Sequence, residues 1–144
     1  MKLLRHLTLA ATLMAAMTYL PASAKNVVVP KAYMFGFVAS FNDSTVYFTD
    51  IQEVDSVWFY QKKKILAGRS NYAYQLRDYF AQQRDQPKRT CVVICNQKRK
   101  KVEKIYTKMM KMYTSSKKGN TYDVRYVPLS EFKFESVNMD DSDK

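Results

Sequence analysis

The sequence predicts an α+β domain: a single mixed sheet of four to five strands, in the order β-β-α-β-α-β, with two helices packed on one face. Three observations predict it. Tyr33, Phe35, Phe37, Ala39 and Phe41 alternate with Met34, Gly36, Val38 and Ser40, the period-2 pattern of a strand with an aromatic face. Tyr72, Leu76, Tyr79 and Phe80 recur at helical spacing with Gln75, Arg77 and Asp78 on the outside. The β-branched run from Thr90 to Cys95 reads as a buried strand. It leads into Val102, Ile105, Tyr106, Met109 and Tyr113, whose i, i+3, i+4, i+7 spacing places them on one helical face.

Taken in order, residues 1–24 have the three parts of a secretory signal peptide. Lys2 and Arg5 precede an apolar run from Leu7 to Leu20, and Pro21 and Ala22-Ser23-Ala24 follow. Cleavage is expected between Ala24 and Lys25, and the apolar run falls short of the roughly 20 residues that span a membrane. The expected product is a periplasmic or secreted chain without a transmembrane segment. It keeps 120 of the 144 residues, enough for one globular domain over 25–137.

Residues 25–30 form an extended lead-in to the first strand. Asn42-Asp43-Ser44 supplies turn chemistry before the β-branched and aromatic stretch from Thr45 to Ile51, so the two strands make a hairpin. The same tripeptide is a glycosylation sequon, but it is read here as a turn. Residues 52–69 fit neither period. A first helix is predicted over 71–84, with Ser70 as cap and Pro87 beyond its end. Asn96 is a candidate N-cap for the second helix. After a polar turn containing Gly119, Tyr122, Val124 and Tyr126 alternate with Asp123 and Arg125 as a strand ending at Pro128. Strand, helix and strand from Thr90 to Val127 predict two parallel strands joined by a right-handed crossover. Phe132 and Phe134 suggest a short last strand, and 138–144 reads as a disordered acidic tail.

The reactive groups narrow the chemistry. His6, the one histidine, lies in the leader, so the exported chain has no imidazole for a Ser-His-Asp or Cys-His arrangement or for a histidine-containing zinc site. Gly36, Gly68 and Gly119 stand far apart, and no glycine-rich turn joins a strand to a helix, which argues against nucleotide chemistry. No cofactor or metal is expected. Asp140, Asp141 and Asp143 lack the glycine and terminal glutamate of a calcium loop. Cys91 and Cys95, four positions apart along a strand, are separated by about 13 Å, beyond the roughly 7 Å limit for a disulfide, and should be buried thiols on one side.

Charge carries the functional expectation. Loss of Lys2 and Arg5 leaves 22 of the 24 Lys and Arg against all 13 Asp and Glu, a formal charge of +9. Lys98, Arg99, Lys100 and Lys101 crowd the start of the second helix, where the macrodipole disfavours cations by about 0.3–1 kcal/mol each. Together with Lys104, Lys108 and Lys111 along the helix they form a candidate anion-binding face. The expectation is a small, basic, non-catalytic exported binding module for an anionic glycan, an envelope lipid surface or an acidic protein, with nucleic acid disfavoured by export. A carboxylate-based hydrolase using acids among Asp50, Glu53, Asp55, Asp78 and Glu103 is the alternative enzyme reading. A structural subunit of an envelope assembly would instead expose an apolar patch around Trp58 or Met109, Met110 and Met112.

Overall fold

The structure, a computed structural model, describes residues 25–61, 64–115, 119 and 121–140. The predicted signal peptide, residues 1–24, and residues 141–144 of the predicted acidic tail lie outside them. The chain forms β1 (Asn26–Ala39), β2 (Thr45–Thr49), β3 (Gln52–Tyr60), β4 (Ile65–Leu66), α1 (Arg69–Gln83), β5 (Thr90–Asn96), α2 (Arg99–Thr114) and β6 (Asp123–Val127). The class is α+β with one mixed sheet, as the sequence predicts. The sheet has six strands rather than four or five, because residues 52–66 add β3 and the two-residue β4.

β1 is the axis of the sheet. Tyr33 and Met34 pair with both β3 and β5, and Phe37 and Val38 pair with both β2 and β5. β2 and β3 therefore share one flank of β1 as a single strand interrupted at Asp50 and Ile51, and β5 takes the other flank. β6 lies parallel to β2, and β4 pairs with β3. β5 and β2 both run antiparallel to β1, so β5 and β6 point the same way, as the sequence predicts.

The two helices lie on opposite faces, which corrects the one-face arrangement. Met34 and Val38 of β1 join the cluster that holds Tyr72, Leu76, Tyr79 and Phe80 of α1. Phe35 and Phe37 join the cluster that holds Val102 of α2, with Tyr106, Met109 and Tyr113 packed against it. A strand paired on both flanks and apolar at successive positions must be covered on both sides. The same partition removes Phe41 from the aromatic face, since it sits fully exposed in the β1–β2 turn. That turn is closed by Asp43, whose carboxylate accepts the Thr45 N–H at 2.9 Å and pairs with Arg89.

Residues 52–69 defied periodic reading for a structural reason. The core-facing positions are Gln52 and Val54, then Val57 and Phe59, with Asp55 and Ser56 both exposed between them. Ser56 has φ of 52°, in the left-handed region. The partner slips at the same level, from Val27 and Val29 to Ala32 and Met34 across Pro30, so the pairing register is preserved.

Helix α1 starts two residues before its predicted position, with Gly68 as N-cap in the left-handed conformation and no side-chain cap from Ser70. It ends ahead of Pro87, where Asp85 turns to φ of 52° and the Gln86 N–H donates to the Phe80 carbonyl. Three further expectations change. β5 is a half-buried edge strand, with Val92 42% exposed, rather than a fully buried one. Phe132 and Phe134 are buried, but in an extended strap outside the sheet. The strap continues into the segment expected to be disordered, where the Met139 carbonyl accepts from Asn26 Nδ2 at 3.0 Å.

The strap lies across the α1 face and is held by two glutamines that imitate strand pairing. Gln52 Nε2 donates to the Phe132 carbonyl at 3.0 Å, and its Oε1 accepts the Phe134 N–H at 2.8 Å. Gln75 does the same for both backbone groups of Glu135 at 2.9 Å. The Tyr79 hydroxyl and Arg84 hold Glu131 at the start of the strap, and those bonds keep its carboxyl below the usual range.

Candidate anion-binding face

Helix α2 owes its orientation to an aromatic inner side. Val102 is fully buried. The Tyr106 ring stands edge-on to Phe35 at 4.9 Å and packs on Phe48, and Tyr113 lies 4.9 Å from both Phe37 and Tyr122. With that side fixed on the sheet, positions 100, 103, 104, 107, 108 and 111 face outward at helical spacing. They line one shallow open trough: Lys100, Glu103, Lys104, Thr107, Lys108 and Lys111.

The seven basic residues named from the sequence do not act as one group. Lys100, Lys104, Lys108 and Lys111 share the trough, and Lys101 stands exposed outside its lining. Arg99 turns back toward the sheet, where its Nε lies 2.8 Å from Glu103 Oε1 and its guanidinium sits 5.8 Å from the centre of the Tyr33 ring. Lys98 is the N-cap, with extended backbone and no side-chain cap bond. Asn96 is therefore not the cap, although its Oδ1 accepts the Lys98 N–H at 2.9 Å and closes the turn into the helix. The first turn contains no acid, and Lys111 in the last turn is on the favourable side of the dipole.

Beyond the start of α2 the same sheet face carries a polar band. Glu53 accepts from Lys31 at 2.8 Å, and its pairing with Lys31 and then Tyr33 lowers its carboxyl below the usual range. Past this band β1, β3 and β4 expose Val28, Tyr60 and Ile65, with Trp58 half-buried opposite Val28. Trp58 was named from the sequence as one possible centre of such a patch, but its neighbours were not legible, because the double slip at Pro30 and Ser56 decides which residues reach that face.

No family model, curated protein or solved structure matches the chain. The reading of the site therefore rests on its own geometry. No helix among the described residues is long and apolar enough to cross a membrane, and no group of three or more His, Cys, Asp or Glu among them is placed to hold a metal ion.

The five acids of the hydrolase reading are each engaged or exposed separately, with Glu53 and Glu103 both neighbours of Arg99. Asp50 accepts the Leu129 N–H, Glu53 is bound to Lys31, Glu103 to Arg99, and Asp55 and Asp78 are exposed on β3 and α1. Of the five only Glu103 lines the trough, among lysines.

Cys91 and Cys95 are free thiols packed against the α1-side cluster, on one side as the spacing predicts but half-buried rather than buried, because β5 is an edge strand. Burial pushes them up to about 11 and about 12. The folded state thus favours the protonated thiols. Their contribution to stability is complete below the ordinary thiol value near 9 and is lost as pH rises toward about 12. Thiol-reagent kinetics at pH 8 should show both cysteines reacting much more slowly in the folded chain than in urea. Equal rates would contradict their burial.

Proposed function

We propose that this protein is a small exported binding module, without catalytic function, whose basic α2 trough engages an anionic partner: a polyanionic glycan, an anionic envelope lipid surface or an acidic protein. The observation that carries it is the alignment of Lys100, Lys104, Lys108 and Lys111 on one exposed stripe while the single acid of the stripe, Glu103, is tied to Arg99. A stripe of cations held by a helix whose other side is locked to the sheet presents repeated charge on a backbone that is already ordered, so binding orders only the lysine side chains. The test is binding to a sulfated glycan, to anionic vesicles and to DNA at low and moderate salt. Reversal of Lys104, Lys108 and Lys111 to glutamate should weaken binding to the true ligand class by more than about tenfold. Because all three are exposed, the melting temperature should hardly move. Unchanged affinity in the reversed variant would overturn the proposal.

A structural role in an envelope assembly is the second reading, supported by the apolar patch of Val28, Trp58, Tyr60 and Ile65.

A further inference from the structure

The outer flank of β5 is where this sheet is left open. β5 pairs with β1 from Tyr33↔Asn96 to Ala39↔Thr90, and among the described residues no strand pairs with its other side. Edges of monomeric sheets are ordinarily blunted by charge, proline, a bulge or shortness. The strands at the opposite border follow that rule. β6 carries the Asp123 and Arg125 ion pair and runs into Pro128, and β4 is two residues long. β5 has none of these devices. Its seven residues, Thr-Cys-Val-Val-Ile-Cys-Asn, include no charge and no proline, and its pairing with β1 is unbroken. The adjacent Arg89 does not guard it, because its guanidinium is turned to Asp43 and to the Thr45 carbonyl.

The edge is also nearly its own reverse. About Val93, Thr90 corresponds to Asn96, Cys91 to Cys95 and Val92 to Ile94, so a polar residue, a cysteine and a β-branched residue recur at equal distances on either side. An antiparallel pairing of two such strands brings like against like at every position. Its two-fold axis is perpendicular to the sheet, so both copies keep the same face up.

We propose that β5 pairs antiparallel with β5 of a second copy, centred on Val93, to join two sheets into one. The pairing places Cys91 of each copy directly opposite Cys95 of the other, both on the α1 face. Directly opposed residues in an antiparallel ladder have Cα atoms about 4.5–5.5 Å apart, inside the range a disulfide bridges. The spacing that forbids a bond within one chain therefore permits one between chains. The pairing also sets the two α2 helices on one common face, doubling the lysine stripe; the strand residues themselves are uncharged, and Arg77 and Arg69 of α1 lie near enough to act on Cys91 and Cys95 at the seam.

The test uses the chain from Lys25 under reducing conditions, in analytical ultracentrifugation without any polyanion. A monomer–dimer equilibrium is expected, strengthened by salt because both copies are basic, the opposite of the salt response of polyanion binding. Val92→Lys, at an exposed position, should weaken the dimer by more than about tenfold without lowering the melting temperature. Diamide, which takes two hydrogen atoms from a pair of thiols and leaves one disulfide, then reports the register. Wild-type chain should give a cross-linked dimer whose peptides join Cys91 to Cys95. Cys91→Ser and Cys95→Ser should each fail to cross-link alone, and an equimolar mixture of the two should cross-link. A monomer at every accessible concentration, a dimer indifferent to Val92→Lys, or a Cys91 to Cys91 link would each overturn the proposal.

Discussion

Gln52→Met is expected to lower stability by about 2–4 kcal/mol, measured as a shifted urea midpoint with an unchanged slope. Methionine matches the length and approximate volume of glutamine, so the loss comes from the hydrogen bonds and not from a cavity. Gln52 is 2% exposed, and its amide meets both the Phe132 carbonyl and the Phe134 N–H. Replacing it leaves two buried backbone groups without partners, each at a cost of about 1–3 kcal/mol. Gln75 makes the same pair of bonds with Glu135 in an exposed setting, where water can substitute. Gln75→Met should therefore cost well under half as much. Hydrogen exchange should show the Phe134 amide opening selectively in the Gln52 variant. Equal effects at the two positions would mean that the glutamines do not act as buried and exposed versions of one clamp.

The second large effect is expected at Gly36. It lies in the middle of β1 on the α1 side, where its N–H donates to Thr49 Oγ1 at 2.8 Å. A Cβ here would overlap Leu76 Cδ2 and stand 3.1 Å from Thr49 Cγ2. Leu76 is fully buried, so it can move only by displacing its neighbours in the core. Gly36→Ala should destabilise by about 1–3 kcal/mol through overpacking, and Gly36→Val by more. In a double-mutant cycle, Leu76→Ala should relieve part of the Gly36→Ala penalty and give a coupling of at least about 0.5 kcal/mol. Additive effects would place the strain elsewhere.

The elements legible in the sequence are those whose apolar spacing answers to a single buried face. Tyr72, Leu76, Tyr79 and Phe80 of α1 are all buried as predicted, as is Val102 of α2. The placement of the helices was not legible from either helix, because each stripe shows only that it needs a sheet. The signal lay in β1, where Met34 and Val38 interleave with Phe35 and Phe37. A strand apolar at successive positions is buried on both faces, and the aromatic alternation masked this.

The strap escaped for a different reason. Phe132 and Phe134 alternate as a strand does, but their backbone partners are glutamine side chains from β3 and α1, which no local pattern reveals. The candidate site was legible in part. The sequence named Lys100, Lys104, Lys108 and Lys111, which all line the trough, together with Lys101, which does not, and the structure adds Glu103 and Thr107 to the lining. Arg99 was grouped with the stripe by adjacency, yet a helix turns about 100° per residue, and its side chain meets Tyr33 and Glu103 instead.

The role of the α2 stripe is tested by the salt dependence of binding to a sulfated glycan by the chain from Lys25, with and without reversal of Lys104, Lys108 and Lys111. A steep fall in affinity with salt is expected, close to linear on logarithmic axes, whose slope shrinks by about one for each lysine contact removed. If the reversed variant keeps both the affinity and the slope of the parent, the α2 stripe is not the binding face.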